Sequence, residues 1–291
     1  MKMKRLRFSD SRWCAISEIV CPVCMHHCRL KEGQTGRCRA RKNENGKSVC
    51  ISYGLLTSIA LDPIEKKPLA KFSPGSMILS AGSFGCNLAC PFCQNASIAA
   101  AGEKDTVTER VPPESLAALS EKLSLRGNIG VAFTYNEPMV GFEYVRDTAR
   151  LVRERHMKNV VVTNGSSSLE ALEEVLPFID AFNIDLKGFT PEYYKKLGGD
   201  LKTVQAFIRA AAGRSHVELT TLIVPGENDT PEEMQKLSAW VAGIDNAIPL
   251  HITRFFPHGR MRDRQPTDIG LMRRLAAIAN EKLQTVLLGN V

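Results

Sequence analysis

Three cysteines stand close together in the stretch Gly85-Cys86-Asn87-Leu88-Ala89-Cys90-Pro91-Phe92-Cys93-Gln94-Asn95. Iron–sulfur clusters are held by cysteine thiolates, and ordinary electron-transfer cubes use four of them. A loop that supplies three can cover three corners of a cube and leave one iron open to a different ligand. The plainer readings are a zinc site or a group of buried thiols. Zinc normally takes a fourth nearby Cys or His, and neither type recurs after Cys93 until His156. The loop also follows directly on an apolar, strand-like run, Met77-Ile78-Leu79-Ser80-Ala81-Gly82.

A second group lies upstream. Cys21, Cys24, Cys28 and Cys38 can supply four thiolates, with His26 and His27 as spare ligands. Such a set is compatible with structural zinc, with an accessory iron–sulfur cluster and with unliganded thiols. Cys14 and Cys50 read as ordinary thiols. Further along, polar residues gather where apolar runs end: Thr134-Tyr135-Asn136-Glu137-Pro138, Thr163-Asn164-Gly165 and Asp185-Leu186-Lys187-Gly188, with His251 and Thr253 near the end of a later run. Side chains alternate along a strand, so Asn183, Asp185 and Lys187 share one face and Phe182, Ile184 and Leu186 the other. A charged face inside a sheet is costly without partners and reads as the lining for a polar ligand. Each of these residues also has a bland reading. Glu137 before Pro138 suits a helix N-terminus, Asp185 and Lys187 suit a surface ion pair, and a lone His251 suits a satisfied structural role.

Taken together, these blocks resemble the radical S-adenosylmethionine (AdoMet, SAM) superfamily, and within it the pyruvate formate-lyase activating enzyme-like proteins. The likeness is greatest to the radical SAM branch of the AmmeMemoRadiSam system and runs over nearly the whole chain. Pro225-Gly226-Glu227-Asn228-Asp229 and Phe255-Phe256-Pro257 extend it toward the end. Tyr135 and Asn136 replace two glycines of the family's Gly-Gly-Glu-Pro, and Met25 stands where a proline is usual. The resemblance implies a [4Fe-4S] cluster on Cys86, Cys90 and Cys93 whose free iron chelates AdoMet. An electron from that cluster would release a 5′-deoxyadenosyl radical, the cofactors carrying the chemistry and the protein orienting them. It further implies AdoMet contacts from Phe92 beside the adenine, Gln94, Asn136, Glu137 at the ammonium, Asn164 at the ribose or methionine part, Asp185, Leu186, Lys187 at the carboxylate, and His251. The implied substrate is a protein, such as a glycyl-radical enzyme, with flavodoxin or ferredoxin as electron donor. Radical modification of RNA or a peptide, and an inactive metal-binding scaffold, stand as the alternatives.

The elements that must hold these residues read as α/β. Strands are expected at Met77–Ala81, Ile129–Thr134, Asn159–Thr163, Ala181–Leu186, His216–Val224 and Pro249–Phe255, with a short last one at Val286–Leu288. Helices are expected at Pro113–Leu125, Val140–His156, Leu169–Phe178, Leu201–Ala212, Pro231–Ala242 and Asp268–Lys282. Alternation of this kind predicts parallel strands, and six units fit the partial (β/α)6, TIM-like barrel of the radical SAM type. Parallel barrels carry their chemistry at the carboxyl ends of the strands, where the polar residues fall. The expected division is a Cys-rich N-terminal module, 1–70, and a core domain, 71–291.

Composition narrows the setting. Hydrophobic residues make up 44% of the 291, enough for a real core. The basic start, Met1-Lys2-Met3-Lys4-Arg5, is followed by no apolar stretch, and no run is long enough to span a membrane. A cytoplasmic protein is expected. Nine cysteines, an odd number, then point to metal or redox chemistry rather than disulfides. The net charge of +7 suits a partner surface, and with no RNA-binding signature nucleic acid is not the expected partner.

Overall fold

β-Branched runs bounded by turns pair side by side in chain order. The structure, a computed structural model, describes residues 18–291; Cys14 lies outside them. Met77–Gly82, Asn128–Phe133, Lys158–Thr163, Ala181–Asp185, His216–Ile223, Leu250–Arg254 and Val286–Gly289 form one parallel array. Ser58–Pro63 adds an antiparallel edge against Met77–Gly82 and completes an eight-stranded sheet. The two edge strands do not pair with each other, so the barrel stays open on one side. Every expected strand is present to within about a residue at each end, the usual scatter of such boundaries.

Helices cover the outer face: Pro113–Lys122, Phe142–Glu154, Leu169–Val175, Leu201–Ala212, Pro231–Ala242 and Ile269–Asn280. Several begin on side-chain caps that satisfy otherwise orphaned N–H groups: Ser168 accepts from Ala171, Asp200 from Thr203, Thr230 from Glu233 and Asp268 from Leu271. Val131, Val161, Ile184, Leu219 and Ile252 from the strands meet Val145, Leu172, Phe207, Leu237 and Leu275 from the helices in the main core. The short helix Pro191–Lys196 was not expected, nor were the edge strand Ser58–Pro63 and the 3-10 turn Pro138–Gly141 that precedes Phe142–Glu154.

The inner face is filled from below. Ile64 and Leu69 pack on Ile78, Ala132, Val160 and Ala181 and close the amino-terminal end of the lumen. Above them Glu218, with no exposed surface, accepts hydrogen bonds from the backbone N–H groups of Ala70 (3.0 Å) and Lys71 (2.8 Å). His216 Nε2 lies 3.0 Å from the same carboxylate and His251 Nε2 2.7 Å. The expected boundary at residue 70 therefore cuts through a hairpin and a plug that belong to the barrel; the sheet reaches back to Ser58. The preceding residues form short hairpins whose small apolar clusters are completed by barrel residues, Ala171 in one and Val140 in the other. The buried Arg41 guanidinium pairs with Glu143 at 2.7 Å. A segment this small cannot bury a core alone, and here it borrows one. Among the described residues no helix is long and apolar enough to cross a membrane.

Glu218 yields an acid-stability test. Burial raises its pKa, but the two histidines and two backbone donors outweigh this and hold it down to about 2. A depressed carboxylate contributes stability that is complete above its unfolded value, about 4.5, and is lost as pH falls toward 2. Glu218→Gln is therefore expected to lower the melting temperature at pH 7. Its loss of stability from pH 5 to pH 2 is expected to be flatter than the parent's, as read by thermal melts across that range.

Candidate active site

The first barrel strand ends at Gly82, and the chain then enters the cysteine loop. Gly85 lies in the left-handed region (φ 90°), and a Cβ there would sit 2.5 Å from the Cys38 carbonyl oxygen, so the N-terminal module presses directly on the loop's start. Asn136, just past the second strand, fastens the same stretch. Its Nδ2 donates to the carbonyls of Phe84 and Gly85 (both 3.1 Å), and its Oδ1 accepts from Ser83 N (3.0 Å). Asn87, fully buried, receives Asn164 Nδ2 on its Oδ1 at 2.8 Å and donates from Nδ2 to Ser166 O at 3.3 Å. Its backbone carbonyl lies 2.7 Å from His26 Nε2 of the N-terminal module. Farther on, Ala89 N donates to Leu197 O, Arg260 N to Pro91 O, and Asn95 Nδ2 to Tyr135 O. The loop is thus tied to the ends of the second and third strands, to the helix after the fourth, and to the segment after the sixth.

Cys86, Cys90 and Cys93 are half-buried on this loop. Burial raises the Cys86 thiol, and the nearby Glu137 raises it further. Cys90 is pushed up to about 11 by burial, against the pull of the Lys187 ammonium. Among the described residues no three His, Cys, Asp or Glu side chains gather as a single-ion site requires. In the N-terminal module Cys21, Cys24 and Cys38 are buried, and burial pushes Cys38 up to about 12. These thiols are neighbours, close enough for their charges to act on one another.

Lys187 and Asp185 stand beside Cys90. Their Nζ and Oδ2 atoms are 2.9 Å apart at the carboxyl end of the fourth strand. Burial disfavours the Lys187 ammonium, yet Asp185 and the Cys90 sulfur outweigh it and hold the pKa above its usual range.

The family model for the radical SAM superfamily matches residues 82–240, more than half of the chain. The chain belongs to the radical SAM superfamily. An uncharacterized protein of Methanocaldococcus jannaschii is 36% identical over 279 residues, covering 94% of this chain and 82% of that protein. The pyruvate formate-lyase-activating enzyme of Streptococcus mutans is 23% identical over 190 residues, 62% of this chain and 72% of its own length. Among solved structures, Streptococcus suis SuiB bound to S-adenosylmethionine shares the fold (TM-score 0.55) at 13% identity, over 70% of this chain and 47% of SuiB. As a member of that superfamily, the protein is a radical SAM enzyme whose cofactors are a [4Fe-4S] cluster and AdoMet. The donor set suits both. Three thiols leave one iron open, and the neighbouring ammonium and carboxylate of Lys187 and Asp185 match in sign the carboxylate and ammonium of the methionine end of AdoMet.

Several residues expected at the radical SAM cofactor have other engagements. Glu137, 2% exposed, accepts from Met139 N (3.0 Å), Thr163 Oγ1 (2.6 Å) and Asn164 N (2.8 Å), joining the ends of the second and third strands. Burial pushes it up to about 7 despite these bonds. The reading of Glu137 as a cap at a helical turn is thus realised, and an AdoMet ammonium could use only its remaining lone pair. Asn164 turns its amide to Asn87, Ser166 and Cys86 rather than holding it free for a ribose. His251 gives its Nε2 to Glu218, on the adjacent strand. Leu186 points into the outer core and can offer only backbone, of which its carbonyl already accepts from Thr221 Oγ1 at 2.8 Å. Phe92 is packed among Tyr193, Leu197, Val224, Phe255 and Met261, where it shields Cys90 from water. Gln94 is exposed.

Three residues escaped the sequence reading. Asn87 lies inside the motif, but its role depends on Asn164 and His26. Glu218 looks like one charge in a strand until register sets two histidines beside it. Tyr135 adopts a left-handed backbone (φ 74°), a strained state for a bulky residue that marks functional positions. Its hydroxyl donates to Asp62 Oδ2 at 2.8 Å, and the Lys67 ammonium sits 4.8 Å from its ring centroid. The departure from glycine at Tyr135 was the only sequence signal.

Proposed function

We propose that this radical SAM enzyme abstracts a hydrogen atom from a protein substrate, with a backbone glycine of a partner enzyme as the target. Cys86, Cys90 and Cys93 hold the cluster, and Lys187 and Asp185 bind the carboxylate and ammonium of AdoMet. When bound, the two cofactors supply an electron and a 5′-deoxyadenosyl radical that takes up the substrate hydrogen. The chain's own part is to hold the loop through Asn136, Asn87 and Asn164, to keep water from Cys90 with Phe92 and its apolar neighbours, and to orient AdoMet by paired charges. The observation that carries the reading is the placement of the Lys187–Asp185 pair beside Cys90 at the strand ends. The likeness to the S. mutans activating enzyme supports the protein target. The net charge of +7 suits an acidic electron carrier such as flavodoxin or ferredoxin, and the cysteine-rich composition suits a reducing cytoplasm.

The test is anaerobic reconstitution with iron and sulfide, dithionite and AdoMet, followed by incubation with partners captured from a lysate. Production of 5′-deoxyadenosine together with a glycine-centred radical on a captured protein is expected. Turnover that modifies RNA or a short peptide and leaves no protein radical would replace the activase reading with one of its alternatives.

Lys187→Ala tests the AdoMet assignment separately. A charge-assisted hydrogen bond is worth about 1.5–3 kcal/mol, so AdoMet affinity should fall roughly 10- to 100-fold. Iron content should stay at the parent's value. Unchanged affinity, measured anaerobically by equilibrium dialysis, would move the AdoMet site elsewhere.

A further inference from the structure

Two donors converge on one of the three loop sulfurs. Leu88 N lies 3.4 Å from Cys86 Sγ, and Asn164 Nδ2 lies 3.6 Å from it. The Asn164 amide is not free to turn. Its Oδ1 accepts from Ser166 N at 2.9 Å, and a backbone N–H can only donate, so the oxygen must face Ser166 and the NH2 must face the sulfur. The same NH2 donates to Asn87 Oδ1 at 2.8 Å, and Asn87 is itself oriented by its bond to Ser166 O. The Asn164 backbone N–H is held by Glu137. With 5% exposure for Asn164 and none for Asn87, water does not compete for these groups. One amide is thus fixed at one sulfur by residues from three different segments of the chain.

Hydrogen bonds to cluster sulfurs are among the levers by which a protein sets reduction potential. Reduction adds negative charge to the cluster and its thiolates, and a donor at a sulfur favours the more negative state. We propose that Asn164 is a positioning residue for the redox centre: its side-chain amide donates to the Cys86 sulfur and makes the cluster easier to reduce. This rests on Cys86 being a cluster ligand. It assigns Asn164 a role at the sulfur instead of at the AdoMet ribose.

The test uses the full chain reconstituted anaerobically with iron and sulfide, without AdoMet. Iron per chain and the midpoint potential are measured, the latter by dithionite titration followed by electron paramagnetic resonance. Asn164→Leu also gives up the bond to Asn87 and is expected to load less iron than the parent, so the midpoint is read on the clusters that do load. It should be more negative, and the reduced fraction of loaded cluster at a fixed dithionite potential should fall several-fold. Asn164→Ser, polar but too short to reach the sulfur, should behave alike and decides the matter if the leucine variant does not fold. His26→Ala removes a bond to the same loop at Asn87 O without touching sulfur, and it should keep the parent midpoint. A parent-like midpoint in an iron-loaded Asn164 variant would overturn the proposal. So would a His26→Ala shift as large as that of Asn164→Leu, because loop looseness would then be the cause. Full iron in Cys86→Ala would instead refute the ligand assignment on which the proposal stands.

Discussion

Cys90→Ala is expected to lose the cluster and all cleavage of AdoMet while the barrel remains folded. Cys90 sits on a loop outside the strands, and its neighbours there, Phe92, Tyr193, Leu197, Val224, Phe255 and Met261, pack with one another without it. Deleting one small, half-buried side chain from such a site costs little stability compared with removing a core residue. A cube left with two thiolates has no third Cys or His within the loop itself to take the missing place. Iron analysis should fall to background and 5′-deoxyadenosine should be undetectable, with far-ultraviolet circular dichroism and melting temperature close to the parent's. Parent-level cleavage by this variant would remove Cys90 from the site.

Glu137→Ala is expected to act through stability before it acts through any cofactor. Its carboxylate satisfies three donors, Met139 N, Thr163 Oγ1 and Asn164 N, inside a site with almost no access to water. Each buried donor left without a partner costs about 1–3 kcal/mol, so the variant should lose on the order of 4 kcal/mol or more. For a chain of this length that is roughly 10 °C in melting temperature. Cluster loading should fall with it, since Asn164 and Asn136 flank Glu137 and hold the cysteine loop. Glu137→Gln keeps one carbonyl acceptor and should recover a large part of the loss. A Glu137→Ala variant as stable as the parent, with only AdoMet binding weakened, would return Glu137 to the purely ligand-binding role expected from the resemblance.

The chemistry was legible in the sequence because the features that carry it are local. Cys86, Cys90 and Cys93 lie within eight consecutive residues, and their spacing alone limits what they can bind. The parallel strands were legible for a similar reason. Strands covered on both faces read as continuous β-branched runs, and that property belongs to each segment separately. The Pro191–Lys196 helix escaped because six residues are too few to show a helical period, and Ser58–Pro63 because a strand ending in proline has a weak signature.

Tertiary structure decided which partner each polar residue meets. His251 faces Glu218 because the sixth barrel strand is in register with the fifth at Thr220, and periodicity within a strand says nothing of its offset from the next. Asn164 reaches Asn87 and Cys86 across 77 and 78 residues of chain, and Asn183 reaches the plug at Pro68 across 115. Hydrogen-bonding side chains such as Asn, Glu and His accept many partners, so their types predict that they will be satisfied without predicting by what. The sequence by itself therefore determined the kind of centre and the barrel that carries it. Only the fold decided that Glu137, Asn136, Asn87 and Asn164 hold the cysteine loop, and that His251 belongs to the plug beneath it.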